Sequence, residues 1–115
     1  MLFDLALIAK ALREDPDPHV RSAALFAAGY RAADPFIDAL VFAATRDRAD
    51  DVRSGAVGLL RRYQSVYPSA GAALRRVAAA DPKPTLRRLA VEALADARPR
   101  KAPSDGGAVD AAAGR

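Results

Sequence analysis

Side chains able to carry out a reaction are few in this 115-residue chain. The single histidine, His19, has no Ser or Cys partner in its pattern, so it lacks the nucleophile a general base would serve. It follows Pro18 in what reads as the first turn of a helix, where the helix dipole disfavours imidazolium. A neutral, exposed histidine is the expectation. Ser22, Ser54, Ser65, Ser69 and Ser104 lie in neither a nucleophile elbow nor a phosphate loop. The adjacent carboxylates Asp50 and Asp51 fall at a helix start, where capping and the dipole account for them. The absence of cysteine rules out a disulfide framework and a thiolate metal site, and one histidine rules out a multi-histidine site. No catalytic, cofactor-binding or metal-binding residue is expected, and no enzyme.

Charge pairing is the chemistry that repeats. Three times an aspartate is followed six residues later by an arginine that opens an apolar run. The segments are DPDPHVRSAALFAA (Asp15, Arg21), DRADDVRSGAVGLL (Asp47, Arg53) and DPKPTLRRLAVEAL (Asp81, Arg87). Superposed on those aspartates, Val20, Val52 and Leu86 coincide, as do Ala24, Ala56 and Ala90. Spacings of 32 and 34 residues match the period of a helix-pair solenoid. In a stack of such pairs, Arg21 can reach Asp47 and Arg53 can reach Asp81, a bidentate ladder running from repeat to repeat. Placement in every copy favours a structural role for all six residues, because a catalytic group needs to occur only once.

The elements that must position this ladder are helices. Leu5, Ile8, Ala9 and Leu12 follow amphipathic spacing over roughly residues 2–13. Asp17-Pro18 opens a second helix, with Val20, Ala23, Ala24, Ala27 and Ala28 as its expected buried stripe. Asp34-Pro35 opens a third, burying Ile37, Leu40, Val41 and Ala44. A fourth begins near Asp50 and buries Val52, Ala56, Leu59, Leu60 and Tyr63. Pro68 and Pro84 open the last two, with Leu74, Val77 and Ala78 inward in one and Leu86, Leu89, Ala90, Ala93 and Leu94 in the other. The result is an all-α solenoid of three antiparallel helix pairs, roughly residues 1–31, 34–63 and 67–97. Three pairs is the practical minimum for such a stack, because no pair hides its apolar face alone. Residues 98–115 are rich in proline, glycine and alanine and hold almost no large apolar side chain, so they read as a disordered tail.

An aspartate in the turn, often beside a proline (Pro16, Pro82), then Val-Arg or Leu-Arg and an alanine, resembles the HEAT-repeat family. The likeness is to the short bacterial HEAT-like repeats associated with phycobilisome lyases, and it covers about residues 1–97. What it implies is a scaffold that holds another protein. It also implies that the second helix of each pair lines the inner, concave side of the stack. Positions off the buried stripes there include Phe26, Tyr30, Arg61, Arg62 and Arg88, residue types that anchor interfaces.

Charge adds a direction. Residues 1–51 carry six basic and nine acidic side chains, whereas residues 52–101 carry eleven basic and three acidic. The basic half suits an acidic protein partner, while Arg75 and Arg76, facing outward on the fifth helix, form a basic outer surface of the kind that attracts nucleic acid. Two alternatives stand beside that reading: an accessory subunit of a lyase or other cofactor-modifying enzyme, and a nucleic-acid-binding protein. Against nucleic acid stand the few aromatics among the arginines. No apolar run is long enough to span a membrane, and the N-terminus lacks the basic start of a signal peptide, so a cytoplasmic protein is expected. Fifteen arginines against three lysines suggest a high-GC bacterial genome. Leu2, Phe3 and Leu7 leave the first helix apolar on more than one side, which points either to burial of the N-terminal end by self-association or a larger partner, or to Phe3 folding back onto the second helix near Phe26.

Overall fold

Apolar residues recur at helical spacing throughout, and the computed structural model, which describes residues 5–29 and 36–96, is built of helices alone over that span. They are α1 (Leu5–Glu14), α2 (Pro18–Gly29), α3 (Ile37–Arg46), α4 (Asp50–Tyr63), α5 (Pro68–Ala80) and α6 (Pro84–Ala95). Within each pair α1 packs on α2, α3 on α4, and α5 on α6. Between pairs α3 joins α1 to α5, and α4 joins α2 to α6, giving two layers in an all-α solenoid stack.

Proline sets three of the starts. Pro18, Pro68 and Pro84 each occupy the first helical position, where the missing N–H costs nothing and the fixed φ suits a helix. At α2 the Asp17 carboxylate accepts the His19 backbone N–H at 2.8 Å, which caps one orphan amide. Helices α3 and α5 end at the ladder aspartates. Asp47 and Asp81 turn to extended backbone (ψ 142° and 136°), while their N–H groups still bond the carbonyls of Ala43 and Val77. Each side chain therefore leaves the helix end aimed along the turn.

The core runs the length of the stack. Leu12, Leu25, Leu40, Leu60 and Leu74, one from each of α1 to α5, are wholly inaccessible to solvent. Full burial of such a side chain contributes about 1.5–3 kcal/mol. Alanines fill the seams: Ala28, Ala43, Ala44, Ala56, Ala70 and Ala90 are equally buried and let the helices approach closely. Helix α6 contributes no wholly buried large side chain, because nothing among the described residues packs beyond it.

Several expectations on the core need correction. Val20 and Ala23 are exposed, and Ala27 only half-buried. They lie on the flank of α2 that a preceding repeat would cover, and no described element lies there. Leu25, absent from the expected stripe, fills the opposite flank against α4. Phe36, just before α3, is wholly buried and was not anticipated. The expected start at Asp34-Pro35, Tyr30, Leu2, Phe3 and the tail 98–115 lie outside the described residues.

Candidate partner-binding surface

The three turns are built alike. Each aspartate first caps its own turn: Asp15 Oδ1 accepts the Asp17 amide, Asp47 Oδ1 the Ala49 amide and Asp81 Oδ1 the Lys83 amide, all at 2.9 Å. Six residues on, the arginine folds back and donates Nη1–H to the carbonyl of the same aspartate, at 2.8 Å for Arg21 and 3.0 Å for Arg53. Arg87 does likewise to Asp81. The rest of the guanidinium reaches the next repeat. Arg21 donates Nε–H and Nη2–H to the two oxygens of Asp47 at 2.9 and 3.0 Å. Arg53 donates to Asp81 in the same fork at 2.9 and 3.2 Å. Arg21, Asp47, Arg53 and Asp81 are all buried, and every charge among them is paired, as a low-dielectric site requires. Among the described residues, the ladder thus holds the buried charged groups and engages each of them in hydrogen bonds within the stack.

Outside it, the ionisable groups among the described residues are exposed or partly exposed. His19 is exposed, with Nδ1 3.3 Å from Asp17 Oδ1, and Ser54 Oγ donates to the Asp51 carbonyl. Lys83 pairs with Asp50 across the turns of two repeats. The hydrogen bond from the Lys83 ammonium holds the Asp50 carboxyl below its ordinary range, and Asp50 holds Lys83 above its own. On the α2–α4–α6 layer, Phe26 is 52% exposed and Gly58 has open space above it. Arg61 is held by Asp96 of the last pair, whereas Arg62 and Arg88 are exposed with no carboxylate partner among the described residues.

The family model described as HEAT repeats matches residues 5–95, the span of all six helices. The chain belongs to the HEAT-repeat family. No curated protein and no solved structure matches it.

Among the HEAT-repeat surface positions named from the sequence, the structure separates those that are engaged from those that are free. Arg61 is tied to Asp96 and, through its carbonyl, to the Gln64 amide at 3.2 Å. Arg62 and Arg88 remain available, and Phe26 stands a repeat away on α2. Arg75 and Arg76 on α5 are exposed, as their helix face suggests.

Sequence reasoning missed a groove on the other layer. Arg13, Asp38, Phe42, Arg46 and Arg76 line a shallow cleft of about 430 Å³ between α3 and α5. The Arg13 guanidinium lies 4.7 Å over the Phe42 ring, a cation–π contact that holds it in place. Superposition of the repeats hides these arginines, since Arg13, Arg46 and Arg76 occupy non-equivalent positions and converge only once the first helices stack.

Proposed function

We propose that this HEAT-repeat chain is a non-catalytic, cytoplasmic protein-binding module whose basic C-terminal half receives an acidic protein surface. One observation carries the reading. Of the three acidic residues among positions 52–101, Asp81 is consumed by Arg53 and Asp96 by Arg61, which leaves Glu92 exposed with no basic partner among the described residues. Arg62, Arg75, Arg76 and Arg88 are thereby exposed and uncompensated. Uncompensated arginines on a rigid helical surface steer an oppositely charged partner and then supply forked hydrogen bonds to its carboxylates. Arg62 and Arg88 lie on the α2–α4–α6 layer, which also carries exposed Phe26, whereas Arg75 and Arg76 lie on α5 of the other layer. The turn pattern also resembles that of phycobilisome-lyase repeats, which supports a second reading as an accessory subunit of a cofactor-modifying enzyme.

Capture of crosslinked partners from the cells that produce the chain tests both. The parent should retain an acidic protein, and Arg62→Glu/Arg88→Glu should lose it while keeping its helical circular dichroism. Recovery of an enzyme that modifies a bound cofactor would select the second reading. Equal retention by the double variant at low salt would remove these arginines from the site. Recovery of nucleic acid, with binding that falls steeply as salt rises, would replace the protein partner.

A further inference from the structure

The two ends of the stack are unfinished in complementary ways. Superposition on Asp15, Asp47 and Asp81 makes residues 20, 52 and 86 equivalent, and likewise residues 25, 57 and 91. Val52 and Leu86, each on a helix that packs on the second helix of the repeat before it, are 1% and 3% exposed, but Val20 is 39% exposed. Leu25 and Val57 are both 0% exposed, Leu25 against Gly55 of the repeat after it, but Val91 is 56% exposed. The ladder shows the same pattern. Asp15 caps its own turn yet accepts no guanidinium, and Arg87 holds its own turn carbonyl yet meets no carboxylate, among the described residues. Each end therefore carries half a rung: an acid at the head, an arginine at the tail.

Size matches as well as charge. At the junction of the first two repeats, Leu25 presses on Gly55, so closely that a Cβ there would stand 2.6 Å from Leu25 Cδ2. The equivalents of Leu25 and Gly55 at the open ends are Val91 and Ala23, a smaller side chain facing a small one. The wider charge division follows suit, nine acids to six bases in residues 1–51 and eleven bases to three acids in residues 52–101.

We propose that the tail of one copy stacks on the head of a second copy, repeating the internal junction: Arg87 forks onto Asp15 of the next copy, and Val91 packs against its Ala23 and Val20. Such a contact is heterologous and does not close on itself, so copies add in a row. It uses the ends of the stack rather than its basic face, so its failure and the failure of the acidic-partner reading are separate events.

Sedimentation of the full chain over a wide concentration range is the test, with two blocked variants at exposed positions, Ala23→Glu for the head and Val91→Glu for the tail. The parent should grow beyond a dimer as concentration rises. Each blocked variant alone should stay monomeric with unchanged circular dichroism, and an equimolar mixture should form a one-to-one dimer and nothing larger. Adding Asp15→Asn to Val91→Glu keeps the acceptor for the Asp17 amide but removes the charge, and should weaken that dimer at least about tenfold. A parent that is monomeric throughout overturns the proposal and assigns the ends to another occupant. Self-association that survives in both blocked variants, or a mixture that stays monomeric, overturns it too.

Discussion

Gly55 yields its space to Leu25: any side chain at residue 55 would begin 2.6 Å from the Leu25 Cδ2 methyl. Three residues along the same helix, Gly58 has nothing within 4 Å of its missing Cβ. Both lie in the interior of α4, so alanine at either relieves the same entropic cost of glycine. Gly58→Ala should stabilise the protein by about 0.5–1 kcal/mol. Gly55→Ala must displace a wholly buried leucine, and overpacking of about 1–3 kcal/mol should cancel or reverse the gain. The denaturant midpoint should rise above the parent's in Gly58→Ala and stay level with or fall below it in Gly55→Ala.

Removing a ladder acid should cost far more inside the stack than at its head. Asp47→Ala deprives the buried Arg21 fork of both acceptors and the Ala49 amide of its cap, so a loss of about 3–5 kcal/mol is expected. Asp15→Ala removes only a turn cap, about 1 kcal/mol. Equilibrium unfolding in urea measures both, and equal costs would show that the rungs contribute little beyond their turns.

The Asp50–Lys83 pair sets a pH window. Asp50 is lowered by the Lys83 hydrogen bond, so its share of stability is present above the ordinary carboxylate pKa of about 3.9 and fades as pH falls through its folded value. Lys83 is raised by Asp50, so its share is present below about 10.4 and fades as pH rises through its folded value. The melting temperature of the parent should exceed that of Lys83→Met by a constant margin between those limits, and the margin should shrink on both sides. A margin unchanged at pH 2 would exclude the ion pair as its source.

Asp96→Ala should release Arg61 to the basic surface. The pair is exposed on both sides, so stability should change by about 0–1 kcal/mol. Association with the acidic partner should become faster at low salt and converge with the parent as salt rises. Surface plasmon resonance with the captured partner gives both rates.

Legibility in the sequence follows the range of each interaction. The helix starts at Pro18, Pro68 and Pro84 are visible because proline and the residues around it act locally. The rungs from Arg21 to Asp47 and from Arg53 to Asp81 span 26 and 28 residues, yet the repeat carries them, since one spacing occurs three times. Arg61 with Asp96 has no such copy and no local trace. The exchange of Leu25 for Val20 and Ala23 in the core has another cause. A second helix in a stack has a flank for the repeat before it and a flank for the repeat after it, and helical periodicity alone does not say which flank is covered.

Arg21 and Arg53 each grip two turns at once, a carbonyl in their own repeat and a carboxylate in the next. The middle pair, α3 and α4, is consequently fastened on both sides, and the outer pairs on one. Opening α5 and α6 breaks a single rung, as does opening α1 and α2, whereas the centre can open only by breaking both. Amide hydrogen exchange should therefore be slowest in α3 and α4 and be faster at either end by partial fraying, so that the molecule loses its order from the outside inward rather than all at once.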